Sequence, residues 1–159
     1  MQVFDASSMI YAWDNYPIRQ FPGLWEWMAT EIEKGKLVIP CVGFDEVAYK
    51  TPECGKWLQK TNIKQFEITN TIIQSAMRIK KLLCIKGDAY HPKGVGENDI
   101  FIIATACDHG ADLVSNEGKQ TIPEILAKQK IPAVCAMKGV DVLCINFLEF
   151  IKRSNEIFR

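Results

Sequence analysis

The sequence predicts an α/β fold: a mainly parallel central sheet with helices on both faces. Three observations carry that prediction. Apolar runs of strand length occur at residues 2–4, 37–39 and 112–114. Between them lie segments whose apolar residues recur every three to four positions, as on one face of a helix. Strands that alternate with helices pair side by side through crossovers, and so build a parallel sheet covered on both faces.

Gln2-Val3-Phe4 is a short strand that ends on Asp5, and Ser7 or Ser8 can cap a helix running to Trp13. Residues 14–17 read as a turn. From Pro22 onward Leu24, Trp27, Met28 and Ile32 repeat at helical spacing. Pro22 suits the first turn of that helix and Gly35 the position just past its end. Leu37-Val38-Ile39, stopped by Pro40, is the second strand. A helix beginning near Gly43 then carries Glu46. Thr51-Pro52 breaks the chain before a short helical piece around Trp57 and Leu58. A longer helix follows, marked by Ile72, Ile73, Ala76, Ile79 and Leu83.

Residues 86–96 hold three glycines, a proline and two lysines, and read as a loop leading into Asp99. The clearest helix comes next, with Asp99, Ile102, Ile103 and Ala106 on one face. Asp112-Leu113-Val114 is the third strand, ending at Ser115-Asn116-Glu117. A helix over 122–129, a strand over 133–137 and a helix over 146–157 complete the expected order. No repeat, low-complexity tract or linker interrupts the 159 residues, so one domain spanning 1–159 is expected.

Composition bounds the function. Apolar residues make up 48% and charged residues 24%, the balance of a water-facing protein with a real core. No apolar run approaches the roughly 20 residues a membrane span needs, so no membrane association is expected. The start carries an acid and no basic run, so no secretory leader is read there and the cytoplasm is the expected compartment. Nineteen basic and nineteen acidic residues cancel, which argues against a protein that merely coats nucleic acid. The six cysteines form no C-x-x-C pair and read as buried free thiols; His91 and His109 match no zinc spacing.

Four acids remain beside apolar runs: Asp5, Glu46, Asp99 and Glu117. In a parallel sheet, ligands bind beyond the carboxyl ends of the strands. Asp5 and Glu117 fall there, Glu46 lies on the helix after the second strand, and Asp99 lies on the inward stripe of its helix. Acids sharing one cleft repel each other unless a cation lies between them. Oxygen donors of this kind suit Mg2+ or Mn2+, and the fitting chemistry is metal-assisted phosphodiester hydrolysis. Each acid also has an ordinary reading. Asp5 can cap the next helix, Asp99 can sit in a favourable first turn, Glu117 can be a turn residue, and Asp45 can replace Glu46. Glu97 reads as a helix cap or an extra ligand. Ser7 and Ser115 can hydrogen-bond the carboxylates from behind, or serve as turn hydroxyls. Lys93 and Lys119 can contact phosphate or stand as ordinary exposed lysines. Trp13, Trp25, Trp27 and Trp57 can stack on bases or pack in the core.

At these residues the chain resembles the PIN-domain family of metal-dependent nucleases, which includes the VapC-type toxins. The strings that carry the likeness are Asp5-Ala6-Ser7, Glu46, Asp99-Ile100-Phe101-Ile102-Ile103-Ala104-Thr105-Ala106 and Ser115-Asn116-Glu117. The segment Phe21-Pro22-Gly23-Leu24-Trp25-Glu26-Trp27 is further similar to a PIN-like subfamily of poorly characterised function. The resemblance implies a three-layer α/β/α Rossmann-like PIN fold and an Mg2+- or Mn2+-dependent endoribonuclease. Asp5, Asp99 and Glu117 would then hold the metal, and Glu46 would act as a further ligand or orient the water. It also implies an RNA substrate, a cognate antitoxin partner and a homodimer. Ser115 and Glu117 stand where the family pattern has threonine and aspartate, so the fourth acid is one methylene longer. The rival expectation is a PIN-like module with weak catalysis that binds RNA or protein. An aspartyl-nucleophile phosphatase fits less well, because Asp5-Ala6-Ser7 lacks a second acid.

Overall fold

The computed structural model describes residues 1–118 and 120–159. Five parallel strands form one sheet in the order β3-β2-β1-β4-β5: β1 (Gln2–Phe4), β2 (Leu37–Pro40), β3 (Gln65–Phe66), β4 (Asp112–Val114) and β5 (Cys144–Ile145). The central strand β1 pairs Val3 with Val38 on one side and with Leu113 on the other. Alternation along each strand sorts side chains into two cores. Val3, Val38 and Leu113 face one side, whereas Phe4, Leu37, Ile39 and Val114 face the other. All seven are fully buried, as expected for strands covered on both faces.

The first core is closed by α5 (Asn70–Leu82), α6 (Glu97–Asp108) and α7 (Ile131–Cys135), through residues such as Ile79, Ile103 and Val134. The second is closed by α1 (Ala6–Asn15), α2 (Pro22–Glu33), α4 (Pro52–Lys60) and α8 (Phe147–Ser154). Between them α3 (Cys41–Lys50) sends Phe44 and Val47 into the second core. This is the three-layer α/β/α architecture. No helix among the described residues is long and apolar enough to cross a membrane.

Local chemistry explains the boundaries. Asp5, rather than Ser7 or Ser8, caps α1, which runs two residues past Trp13 into the expected turn. Thr69 caps α5 and Asn146 caps α8 through their side-chain oxygens. Pro22 opens α2, and Gly35 follows its end at φ +70°, a left-handed conformation natural to glycine. The tryptophans pack with the second core: Trp25 is 2% exposed, donates its indole N–H to the Tyr16 carbonyl at 2.7 Å, and meets Trp13 and Trp57 edge-on. Trp27 packs on Phe150 and Phe158.

The C-terminal quarter departs from the expected order. Residues 133–137 are not a strand; Ile131–Cys135 forms a helix with Pro132 in its first turn. Residues 122–129 hold only a single 3-10 turn, Leu126–Lys128. The strand that closes this edge is instead Cys144–Ile145, and a further two-residue strand, Gln65–Phe66, closes the opposite edge. The cysteines are free thiols, but only Cys54 and Cys135 are buried, and Cys84 is exposed at φ +56°. Burial pushes the Cys54 thiol up to about 12, so it is an inert packing group.

Candidate functional site

The strand order reverses between β1 and β4, and Asp5 and Glu117 lie beyond the carboxyl ends of those two strands. Asp5 follows β1 directly and is 2% exposed. Its Oδ1 accepts the Ser8 N–H at 2.8 Å, and Ser7 Oγ stands 2.8 Å from each carboxylate oxygen. Ser115, also 2% exposed, sets its hydroxyl 3.4 Å from Ser7 Oγ beside this carboxylate. Burial nevertheless holds the Asp5 carboxyl above the ordinary carboxylate range, against the downward pull of the Ser115, Ser8 and Ser7 donors.

The two strand ends are tied together at this point. Asn116 N–H donates to Ser7 Oγ at 2.9 Å, Ser8 Oγ donates to the Val114 carbonyl at 2.8 Å, and Glu117 N–H reaches Ser115 Oγ at 3.3 Å. Asn116 Oδ1 accepts the Phe147 N–H at 2.8 Å, which anchors α8 to the same turn. Sequence reasoning picked out Ser7 and Ser115 but missed Ser8 and Asn116. Their only signal was position: each is adjacent to a chosen hydroxyl in a strand-end string.

Asp99 is the third residue of α6, and its Oδ2 reaches back to accept the Gly96 N–H at 3.0 Å. The cap expected of Glu97 therefore belongs to Asp99. Burial raises the Asp99 carboxyl, the Glu46 charge raises it further, and the Gly96 N–H and Lys50 oppose them. Glu46 is half-buried on α3 while its neighbour Asp45 is exposed, so Glu46 is the acid that faces the site. Lys50, one turn along, pairs with Glu46 at 2.6 Å. The Lys50 ammonium is stabilised by that hydrogen bond and its pKa raised.

Glu117 is half-buried, and its Oε2 accepts the Ile131 N–H at 3.1 Å. Burial raises its pKa first; the Asp99 and Asp5 charges add to the rise, whereas the Ile131 N–H and Lys130 oppose it. Glu117 thus feels the charges of Asp99 and Asp5, and Asp99 that of Glu46, which links the four sequence-chosen acids pairwise. Glu117, Asn116, Asn146, Glu149 and Arg153 line an open cleft of about 600 Å³ over the strand ends. Lys119 lies outside the described residues.

The model for a domain of unknown function, DUF4411, matches residues 2–158. The chain belongs to this family. No curated protein matches it in sequence. Among solved structures, the DUF4411 chain is similar to VapBC2 from Rickettsia felis, solved bound to a DNA fragment from their promoter. The TM-score is 0.54 and the identity 17%, over 91% of this chain and 97% of that one. At that identity the likeness is one of fold, and it gives the DUF4411 chain a PIN-like three-layer architecture.

The donor set is all hard oxygen: carboxylates supported by hydroxyls, with no histidine or thiol in the hydrogen-bonded cluster. Among the described residues no three His, Cys, Asp or Glu side chains are drawn tightly enough to hold an ion as they stand. Mg2+ does not require a dedicated cage, since it keeps several waters and takes few carboxylates directly. Three carboxylates raised by burial, with mutual repulsion acting on Asp99 and Glu117 as well, fit a hard divalent cation.

Proposed function

We propose that this DUF4411 protein is an Mg2+- or Mn2+-dependent endoribonuclease. What supports this reading is that Glu117 feels the charges of both Asp99 and Asp5, although the three acids come from separate segments, beside the point where the strand order reverses. Each is held above the ordinary carboxylate range by burial, and Glu117 also by the other two. A bound divalent ion would lower the pKa of its water and offset the charge that builds on the scissile phosphate. Asp5, Asp99 and Glu117 are the residues to hold it. Ser7 hydrogen-bonds both oxygens of the Asp5 carboxylate, and Lys50 pairs with Glu46. In the reaction a water oxygen bonds to phosphorus, the bond from phosphorus to the leaving ribose oxygen breaks, and the water's proton is taken up at the site while the leaving oxygen gains one.

The fold likeness to a promoter-bound VapBC2 complex motivates a finer proposal: this chain is the toxin of a toxin–antitoxin pair, working in the cytoplasm as a homodimer with a small DNA-binding partner. Purified protein incubated with labelled single-stranded RNA and Mn2+ tests the enzymatic core. Cleavage is expected, with loss on chelation and in Asp5→Asn and Asp99→Asn. An intact substrate with the wild-type protein and Mn2+ would sink the nuclease reading.

A second reading, a binding module with weak catalysis, is favoured by one observation: each of the four acids already holds a partner within the chain, Asp5 the Ser8 N–H, Asp99 the Gly96 N–H, Glu117 the Ile131 N–H and Glu46 the Lys50 ammonium. Calorimetry with Mn2+ separates the two. The nuclease binds the ion in a manner that depends on Asp5 and Asp99, whereas the module does not.

A further inference from the structure

Glu117 also lines a second cleft, of about 590 Å³, in which Lys93 and Gly94 face Gln120, Lys128 and Lys130. Three ammonium groups and one carboxylate in one cleft are a local excess of positive charge in a chain whose formal charge is zero. Among the described residues none of these lysines makes an ion pair, as holds for most lysines of the chain, but here three of them line one cleft. Unpaired cations converging on a cleft are arranged to meet an external anion.

The walls are built to stay where they are. Val95 N–H donates to the Gln129 carbonyl at 2.9 Å, joining the loop before α6 to the segment before α7. At Gly94 the backbones touch: a Cβ placed there would lie 1.8 Å from the Ala127 carbonyl oxygen. Gln120 reaches both the Lys128 carbonyl and the Lys130 N–H, and Gln129 is 3% exposed. The Ile131 N–H, next in chain to Lys130, holds Glu117. The lysine cleft and the acid site are therefore joined by direct hydrogen bonds, with Glu117 as the shared wall.

We propose that Lys93, Lys128 and Lys130 bind the phosphate backbone of single-stranded RNA on one side of the scissile bond, so that the strand passes over Glu117 into the acid site. The assignment of a scissile bond rests on the nuclease reading; the cleft binds the backbone with or without cleavage. Charge complementarity selects the occupant. A phosphodiester strand offers regularly spaced anions that three ammonium groups on one cleft can meet together, each as a point charge. Lysine rather than arginine makes the contact tolerant of sequence, because no planar fork is present to read base edges.

The test is RNA binding by the full chain in EDTA, followed by fluorescence anisotropy over a range of salt concentrations. Each phosphate contact contributes about 0.7 to the slope of log affinity against log salt for a single strand. Replacing all three residues, as Lys93→Gln, Lys128→Gln and Lys130→Gln, should flatten the slope by about 2. The same charge change at Lys34, Lys56 and Lys60 should leave it unaltered. Lys93→Gln and Lys130→Gln singly, both at exposed positions, should each remove about 0.7 and serve if the triple variant melts early. An unchanged slope in the cleft variants, or an equal loss in the control triple, overturns the proposal. Tighter binding of single-stranded DNA of the same sequence overturns the RNA assignment. If the slope falls as expected but wild-type protein with Mn2+ cuts nothing, the nuclease reading fails while the backbone site stands. If RNA is cut and the slope is unmoved, the reverse holds.

Discussion

Ser7 Oγ stands 2.8 Å from each oxygen of the Asp5 carboxylate, and the same hydroxyl accepts the Asn116 N–H at 2.9 Å. One hydroxyl thus clamps the acid at the end of β1 to the turn after β4. The position of Asp5 relative to Glu117 depends on this link, because Asn116 precedes Glu117 directly. Removing it should loosen the site and leave a partly buried N–H without its acceptor. Ser7→Ala is expected to cost about 1–3 kcal/mol in urea unfolding. Metal affinity should fall about 10- to 100-fold, as for other groups that orient a ligand from behind. A variant with wild-type stability and wild-type Mn2+ affinity would show that the clamp is dispensable.

Asp5 has its folded-state pKa raised above the ordinary value of 3.8. An acid raised by folding binds its proton more tightly in the native state, so its contribution to stability is greatest below the unfolded pKa and is lost as pH rises through the folded one. Asp99 and Glu117 shift the same way. Asp5→Asn keeps a side-chain oxygen for the Ser8 N–H and removes the charge. The metal-free variant should therefore melt higher than wild type, and the gap should widen as pH increases from about 4 toward neutrality. A gain of about 1 kcal/mol would read as roughly 2–4 °C in a chain of this size. A gap that narrows with rising pH would contradict the burial argument.

Glu117→Gln separates charge from shape, because the amide oxygen can still accept the Ile131 N–H. Mn2+ at a hundredfold excess over Kd should stabilise the wild-type protein by about 2.7 kcal/mol. If the variant's affinity is about 100-fold lower, the same concentration gives only about 0.4 kcal/mol. Melting curves with and without Mn2+ read the difference directly. Equal Mn2+ stabilisation in both proteins would remove Glu117 from the ligand set.

Gly94→Ala forces a methyl group into the Ala127 carbonyl, where a Cβ would stand 1.8 Å from the oxygen and 2.8 Å from the carbon. Overpacking of this sort costs about 1–3 kcal/mol. Because the neighbouring contact is backbone, relief requires the two loops to part. Denaturant unfolding should show the loss, and hydrogen exchange at Val95, whose N–H donates to Gln129, should quicken. Protection at Val95 equal to wild type would mean that the loops do not part there.

Two kinds of element escaped a linear reading. Gln65–Phe66 and Cys144–Ile145 are strands of two residues, too short to display a period, and they exist because a neighbouring strand offers its edge. Residues 133–137 show the converse: a short apolar run has the same composition in a buried helix as in a buried strand. Pro132, placed in the first turn of Ile131–Cys135, was the local signal for helix. Within the site, Asp5 and Asp99 were legible because one follows a strand directly and the other sits in the first turn of a strongly patterned helix. Lys130 and Asn116 were not, since their roles arise from chain segments that meet only in the folded state.

The sequence alone determined the layered α/β class, the helix that carries Asp99 in its first turn, and the choice of candidate acids, because periodicity and capping are local properties of the chain. Tertiary structure decided the rest. It placed β1 beside β4 so that the strand order reverses next to Asp5, left Glu46 half-buried and Asp45 exposed, and set Glu117 on the wall of the lysine-lined cleft. The physical reason is range: hydrogen bonds from Asn116 to Ser7 or from Ile131 to Glu117, and the burial that raises these carboxyls, exist only once distant segments pack together.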